Sequence, residues 1–306
     1  MMPKENMISL PEFLKLSTSE VAKLVKASGS KVVVFPINGT RRWFMLEHGN
    51  KNFDNPIEAY TNIVIKKHIE IYKLFFEHGV DTLITPVIGA EVLETRDDYM
   101  EKIGAEGLAS IATRADFLSF YEEDKVCVNF YGDYRNALEN TPYENIVTLF
   151  DDLSKKTKHH QNAKLFFGVF ADERKADELT AKFAVDYFQK KGEVPPRNMI
   201  VENYYGEYVE KADIFIGFDR LSVFDYPFLR WGGEDLYFTI APSLYMNEKQ
   251  LRSILYDHLY TRRAEEPDYL ALQPETFAEL KNFYQTHQDT VLGTGNLKSD
   301  IWLPSI

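Results

Sequence analysis

The stretch KVVVFPINGTRRWF, residues 31–44, determines how the rest of the chain is interpreted. Its first half is a continuous β-branched and aromatic run, which predicts a buried strand over residues 31–37. Asn38 and Gly39 end this strand, and Gly39 allows a tight turn that can approach a ligand closely. Arg41 and Arg42 then place two permanent cations just beyond a buried strand, which indicates a site for an anion.

Strand-like segments alternate with helical segments along the whole chain. Further strands are predicted at 81–88, 125–132, 163–171, 212–218 and 235–241. Helices are predicted within 8–28, 56–78, 97–122, 142–156, 173–191 and 247–262. This alternation predicts an α/β fold with a central, mostly parallel six-stranded sheet flanked by helices.

We expect one domain over residues 1–306, with a helical lead-in over 1–30 and a C-terminal extension over 263–306. The segment around Pro195 and Pro196 reads as a polar linker, and the tail reads as mostly helical. In parallel sheets of this kind, ligands bind beyond the carboxyl ends of the strands, where residues 38–42 lie.

Composition narrows the class of function. Hydrophobic residues make up 44% and charged residues 27% of the 306 residues, as in ordinary globular proteins. The net charge of −12 argues against broad nucleic-acid binding, so an anionic small substrate would need a local basic pocket. A single cysteine fits a reducing cytoplasm, and no apolar run reaches the length of a signal core or a transmembrane segment.

The turn after the first strand could bind phosphate in two ways. Thr40 could cap the following helix, whose free backbone N–H groups would point at an anion. Arg41 and Arg42 would add forked donors that match phosphate oxygens. The alternative is an ordinary strand-to-helix turn whose surface arginines pair with carboxylates elsewhere. The stretch is neither a Walker loop nor a dinucleotide-binding fingerprint.

Two other strand ends carry candidate residues. After the fifth strand, Arg220 and Ser222 could add a second set of phosphate contacts, or form a surface loop with a local Asp219–Arg220 pair. After the third strand, Tyr131 and Tyr134 could line a pocket and stabilise a carbocation through their ring faces. Their alternative is a structural role as buried tyrosines with satisfied hydroxyl groups.

The order of these motifs resembles that of the cis-prenyltransferases, the undecaprenyl diphosphate synthase family. PINGTRRW resembles that family's D-G-N-x-R-W signature, and RLSVF resembles its R-x-S-N-F segment. DLYFT and the later YTRR resemble its E-L-Y-F…R-R-x-R ending. Longer strings, including NYYGEYVEKADIFIGF and LYFTIAPSLYM, are similar to an offshoot, the tuberculosinol and tuberculosinyl-adenosine synthases. The resemblance covers residues 31 to about 270 and implies the cis-prenyltransferase fold.

The resemblance implies an enzyme that ionises a bicyclic C20 prenyl diphosphate of labdane, halimane or clerodane type. Capture of the cation by water would give a terpene alcohol, and proton loss would give an olefin. One alternative is transfer of the terpenyl group to a nucleoside such as adenosine. Another is a diphosphate-binding subunit, or a trapped mutant, that is catalytically impaired at Asn38. The resemblance further implies Mg²⁺, a homodimer, and an upstream class II diterpene cyclase as the source of the substrate.

The resemblance also assigns roles to individual positions. Catalytic residues would be Asn38, Tyr60, Arg41 and Arg42, with Asn38 occupying the place of the family's catalytic Asp. The metal would be held by Asn38 and Asp235. Substrate would contact residues that follow three of the strands: Gly39, Thr40, Arg41, Arg42, Tyr131, Tyr134, Arg220 and Ser222.

Two departures from the family pattern bear on the chemistry. Ile214 stands where chain-elongating relatives have an arginine, which favours terpene synthase chemistry over condensation with isopentenyl diphosphate. Asn38 keeps the shape of Asp but loses its charge, and an amide cannot act as a base at neutral pH. Another carboxylate such as Asp235 could hold the metal, ionisation alone could suffice, or the chain could carry an inactivating Asp-to-Asn change.

Overall fold

The computed structural model of the chain describes residues 8–89, 104–264 and 266–305. All six predicted strands are confirmed: β1 Val32–Val34, β2 Thr82–Ile88, β3 Val126–Tyr131, β4 Ala163–Val169, β5 Ile214–Phe218 and β6 Asp235–Thr239. They lie side by side in the order β3-β4-β2-β1-β5-β6, and each neighbouring pair is parallel. The predicted α/β fold with a central six-stranded sheet is therefore confirmed.

Helices surround this sheet along most of the described chain. They are α1 Leu10–Phe13, α2 Thr18–Ala27, α3 Thr40–His48, α4 Pro56–Glu77, α5 Ala105–Thr113, α6 Ala115–Glu123, α7 Tyr134–Leu138, α8 Asn145–Thr157, α9 Glu173–Lys191, α10 Arg197–Tyr205, α11 Glu248–Tyr256 and α12 Pro274–His287. The predicted helix over 97–122 lies partly outside the described residues. Within the described ranges, no helix is both long enough and apolar enough to cross a bilayer.

Two segments differ from the sequence-based expectation. The presumed polar linker continues into α10, which begins after Pro196 and buries Val201, Tyr204 and Tyr205. The prediction of a mostly helical tail is wrong at its end, where β7 Gly295–Lys298 and β8 Ile301–Pro304 form an antiparallel hairpin. α12 is confirmed as a tail helix, but none of its residues is buried.

The pleat of the strands divides the core into two layers. In β1, Val33 packs into the cluster on one face of the sheet, whereas Val32 and Val34 pack into the cluster on the other. β4 does the same with Phe167 and Phe166. Successive side chains of a strand point to opposite faces, so both faces of this sheet are apolar and covered.

The long helix α4 follows from clear local signals. Asn55 caps its start by accepting a hydrogen bond from the Glu58 amide at 3.2 Å, and Pro56 occupies the first helical position. Its last residue is Glu77, within one residue of the predicted end at 78; His78 is the C-cap, and Gly79 follows with a φ of 91°. α4 thereby presents one side to the sheet over six turns.

Candidate functional site

The turn between β1 and α3 lies at the carboxyl edge of the sheet. Gly39 has a φ of 74°, and a Cβ atom there would come within 2.8 Å of the Phe218 ring. Gly39 is the N-cap of α3 and offers no side-chain cap, and the first turn of α3 contains no acidic residue. The prediction that Thr40 caps the helix is therefore wrong, and the start of α3 carries neither a side-chain cap nor a negative charge, which suits an anion.

Arg41 and Arg42 lie in that first turn and have exposed side chains. The Nη1 atom of Arg42 is 3.2 Å from Oδ2 of Asp219, and its guanidinium lies 5.1 Å from the centre of the Phe218 ring. Asp219 thus pairs with Arg42 rather than forming the local pair with Arg220 that was the alternative. Thr40, the residue before the two arginines, lines a cavity, whereas Arg41 and Arg42 are not part of its wall.

The cavity lies between α4, α5 and the sheet, and its volume is about 130 Å³. Apolar side chains make up much of its wall, including Ile65, Leu108, Ile111, Phe117 and Phe167. Several of these belong to the core cluster on the Val33 face of the sheet. This mostly apolar and partly aromatic cavity therefore adjoins the N-terminus of α3, whose first turn carries the two arginines.

Four cavity residues form a stripe along one side of α4: Tyr60, Val64, His68 and Tyr72. They are spaced four residues apart, which places them on one helical face. The hydroxyl groups of Tyr60 and Thr40 are 2.9 Å apart, so α4 and α3 are joined at the mouth of the cavity. Sequence reasoning found Tyr60 but missed His68, although the repeat of four from Tyr60 would have led to it.

His68 stands out among the polar groups of the cavity wall. Its Nε2 atom is shielded from solvent and has no hydrogen-bond partner among the described residues. Burial lowers the pKa of His68 to about 4, so the imidazole is neutral at neutral pH. Burial also raises the pKa of the neighbouring Tyr72, which keeps that hydroxyl protonated.

The two candidate tyrosines after β3 do not reach this cavity. Tyr131 is fully buried on the opposite face of the sheet, where its hydroxyl donates to the Asp225 carbonyl at 2.8 Å. The strand pleat explains the error, since Phe130 faces the cavity side and the next residue must face away. Tyr134 is buried on the cavity side, but it packs edge-on against Phe150 and is not part of the cavity wall.

Arg220 and Ser222 lie in the exposed loop after β5. The amide of Ser222 donates to the Arg220 carbonyl at 2.8 Å, which makes a local turn. The Arg220 guanidinium lies 5.8 Å from the centre of the Trp302 ring, so the C-terminal hairpin stands against this loop. That contact joins residues 82 positions apart and was not expected from the sequence.

Asn38 and Asp235 are not brought together within one chain. Asp235 begins β6 and is level with Ile214 and Val33, whereas Asn38 follows the other end of β1. Parallel strands place these positions at opposite edges, on the order of 15 Å apart along the strands. Asp235 instead accepts a 2.7 Å hydrogen bond from His258. The strand register therefore contradicts the expectation that Asn38 and Asp235 of one chain bind the same metal ion.

Asp219 fits a cation better than Asp235 does. Its Oδ1 atom is buried without a hydrogen-bond partner among the described residues, while Oδ2 pairs with Arg42. Asn38 lies in the adjacent turn. Its backbone N–H donates to Oγ of Ser243, and its backbone carbonyl accepts from the Ser243 N–H, both at 3.1 Å. The described residues contain no cluster of three or more His, Cys, Asp or Glu side chains that could hold a metal. Mg²⁺ is commonly bound by one or two protein oxygens together with substrate phosphates, and Asp219 with Asn38 fits that pattern.

Comparison with known proteins gives two relatives of nearly equal length. The chain is 43% identical over 299 residues to the tuberculosinyl adenosine transferase of Mycobacterium tuberculosis, a match that covers 97% of this chain and 98% of the relative. It is 25% identical over 300 residues to the (+)-kolavelool synthase of Herpetosiphon aurantiacus, covering 97% and 95%. No family model matches the chain.

Solved structures show the same fold at low sequence identity. The lavandulyl diphosphate synthase of Lavandula x intermedia, in complex with dimethylallyl diphosphate, superimposes with a TM-score of 0.62 at 12% identity, covering 81% of this chain and 98% of that one. A probable undecaprenyl diphosphate synthase of Campylobacter jejuni gives 0.52 at 16% identity, covering 78% and 97%.

Proposed function

Since the chain belongs to the family of tuberculosinyl adenosine transferase, built on the cis-prenyltransferase fold, we propose that it ionises a bicyclic C20 prenyl diphosphate. The chain is an enzyme of the terpene synthase and prenyl-transferring class. In the proposed reaction the diphosphate leaves, and the terpenyl cation is quenched by water or by proton loss to give an alcohol or an olefin.

One observation carries this proposal: a basic helix start and an aromatic cavity meet at Thr40. Departure of diphosphate builds negative charge on its oxygens, which the α3 amides, Arg41 and Arg42 would stabilise more strongly in the transition state than in the ground state. The hydrocarbon part would enter the cavity, where aromatic faces stabilise positive charge and water is excluded.

The carboxylate that the family signature places at Asn38 would be replaced by Asp219. Asp219 and Asn38 would hold Mg²⁺ together with diphosphate oxygens, and the ion would neutralise charge on the leaving group. Asp219 supports this assignment because its Oδ1 atom is buried without a partner among the described residues. Arg220 and Ser222 would contact the distal phosphate from the neighbouring loop.

A second candidate function is transfer of the terpenyl group to adenosine, which the 43% identity to a transferase of that name favours. Both reactions share the ionisation step and differ in what captures the cation. The described cavity, at about 130 Å³, is smaller than the roughly 300–1,000 Å³ of complete ligand sites. It therefore encloses room for part of a C20 group.

Incubation of the purified chain with a panel of C15 and C20 diphosphates, with and without adenosine, tests these assignments. Release of diphosphate together with a terpene alcohol or olefin supports the first function. A product that carries adenosine supports the second. Diphosphate binding without turnover of any substrate in the panel would overturn both and favour a catalytically impaired binding subunit.

Three expectations stay predictions, two from the resemblance and one from the single cysteine. They are an upstream class II diterpene cyclase that makes the substrate, a homodimer, and a location in the cytoplasm. Gel filtration with light scattering checks the second of these directly.

A further inference from the structure

We propose that His68 is the proton acceptor that quenches the terpenyl cation, so that the enzyme forms an olefin. This inference rests on the proposed function, because it needs a cation in the cavity. It adds a catalytic residue that no motif of the sequence indicated, and it commits to one of the two quenching routes.

The position of His68 is suited to that step. It lies on the cavity-facing stripe of α4, eight residues after Tyr60, which corresponds to about 12 Å along the helix axis. Tyr60 is joined to Thr40 at the mouth, next to the arginines. His68 therefore faces the hydrocarbon part of a bound substrate rather than the carbon that carries the diphosphate.

The chemical state of His68 is suited as well. Nε2 is buried and has no partner among the described residues, so its lone pair is available when it is the unprotonated nitrogen. The low pKa keeps the imidazole neutral before the reaction. A tertiary carbocation is so strong an acid that even a weakly basic imidazole accepts its proton.

The proposed step transfers one proton from the terpenyl cation to His68. The C–O bond to diphosphate breaks, the diphosphate keeps the electron pair, and an allylic cation remains. A C–H bond then breaks on the carbon next to the end of the allylic cation that is remote from the departed diphosphate, and its electron pair forms a new C=C bond to give a conjugated diene. The proton goes to Nε2 of His68, which becomes an imidazolium ion and later returns the proton to solvent.

The groups around His68 make other acceptors less suitable. The Tyr72 hydroxyl, one turn further along α4, is kept protonated by burial and is hydrogen-bonded to Thr85. Tyr60 and Thr40 carry hydroxyl groups that are paired with each other. The surrounding wall includes Ile65, Leu108 and Phe117, which hold no acceptor at all.

The test is the ratio of olefin to alcohol formed from the C20 diphosphate that the wild-type enzyme turns over best. The variants are His68→Phe, which keeps ring volume, and His68→Gln, which keeps a polar group without a base. His160→Phe is the control, because His160 is a buried histidine that lies outside the cavity wall. Affinity for inorganic pyrophosphate is measured in each folded variant.

We expect the wild-type enzyme to form mainly olefin, and the olefin-to-alcohol ratio to fall at least ~10-fold in a His68 variant. Pyrophosphate affinity should stay unchanged, and His160→Phe should keep the wild-type ratio. An unchanged ratio in a folded His68 variant, or a wild-type product that is all alcohol or nucleoside adduct, overturns the inference while the proposed function stands. Absence of turnover of any diphosphate by the wild-type enzyme overturns the proposed function itself.

Discussion

Oδ2 of Asp219 lies 3.2 Å from Nη1 of Arg42, although the two residues are 177 positions apart in the chain. The pair links the end of β5 to the first turn of α3, at the edge of the sheet where the diphosphate is proposed to bind. Asp219 adopts a positive φ of 72°, which is uncommon for a residue other than glycine. The pair therefore places a side chain that can bind an anion, Arg42, beside one that can bind a cation, Asp219.

Replacing Asp219 with Asn should change metal dependence and anion binding in opposite directions. Without Mg²⁺, inorganic pyrophosphate should bind more tightly because Arg42 loses its competing partner. The factor by which Mg²⁺ increases the affinity for pyrophosphate should be at least ~10-fold smaller in the variant than in the wild type, because a carboxylate ligand is lost. Calorimetric titration at several Mg²⁺ concentrations measures both effects. Asn38→Asp is the companion variant, and in it Mg²⁺ should increase the affinity for pyrophosphate by a larger factor than in the wild type. Identical titrations for the wild type and Asp219→Asn would remove Asp219 from the site.

Removal of either arginine of the α3 turn should slow ionisation. We expect Arg41→Ala and Arg42→Ala each to reduce turnover at least ~10²-fold, the usual scale for loss of one preorganised charge stabiliser. Steady-state release of diphosphate is the measurement. Arg262→Ala is the control, because Arg262 is an exposed arginine paired with Asp257, near the other edge of the sheet. Near-normal rates in both α3 variants would contradict the proposed anion site.

The hydroxyl pair at the cavity mouth should show energetic coupling. Tyr60→Phe and Thr40→Val each remove one partner of the 2.9 Å hydrogen bond. We expect a coupling free energy of about 1 kcal/mol between them in a double-mutant cycle on the free energy of unfolding. Urea unfolding of the four proteins measures it. Additive effects of the two substitutions would show that the hydrogen bond contributes no net stability.

Gly107 should control the size of the cavity. It lies in α5 on the cavity wall, and a Cβ atom there would meet no heavy atom within 4 Å among the described residues. Gly107→Ala should raise the free energy of unfolding by up to ~1 kcal/mol, since alanine favours a helix over glycine. Gly107→Leu should lower kcat/KM for C20 diphosphates more than for C15 diphosphates. Equal losses for both lengths would show that the hydrocarbon does not approach α5.

Stability should depend on the protonation of His68 at acidic pH. The pKa of His68 is about 4 in the folded chain, below the ordinary value of 6.5. Below pH 6.5 the unfolded chain therefore binds a proton that the folded chain does not, and the free energy of unfolding falls as the pH drops toward 4. His78 and His258 also have lowered pKa values, so the comparison is between wild type and His68→Phe. The variant should lose part of this pH dependence in denaturant titrations, and parallel curves would contradict a lowered pKa for His68 in the folded chain.

The sheet could be predicted well because its strands are continuous apolar runs bounded by turn residues. β1 and β5 show the pattern clearly, and burial on both faces is what makes such runs uninterrupted. α10 was missed because Pro196 was interpreted as part of a linker, although proline often begins a helix. Its buried Val201, Tyr204 and Tyr205 stand at helical spacing and carried the signal.

The C-terminal hairpin and the contacts within the site could not be predicted from local sequence patterns. Ser299 and Asp300 form a two-residue turn with φ values of 50° and 61°, a conformation usually signalled by Asn-Gly. The Arg42–Asp219 pair depends on strand order, since β5 lies beside β1 although it is far away in sequence. Local sequence patterns predict helices and strands, but the order of the strands in the sheet determines which distant residues come into contact.

Two of the chain's three tryptophans stand beside proposed ligands of the diphosphate. Trp43 follows Arg42 directly and is 7% exposed, and the ring of Trp302 faces Arg220. Indole emission is sensitive to nearby charge, so the protein carries its own optical reporter of occupancy. A change in fluorescence on adding pyrophosphate would give binding curves without labels, radioactive substrate or turnover.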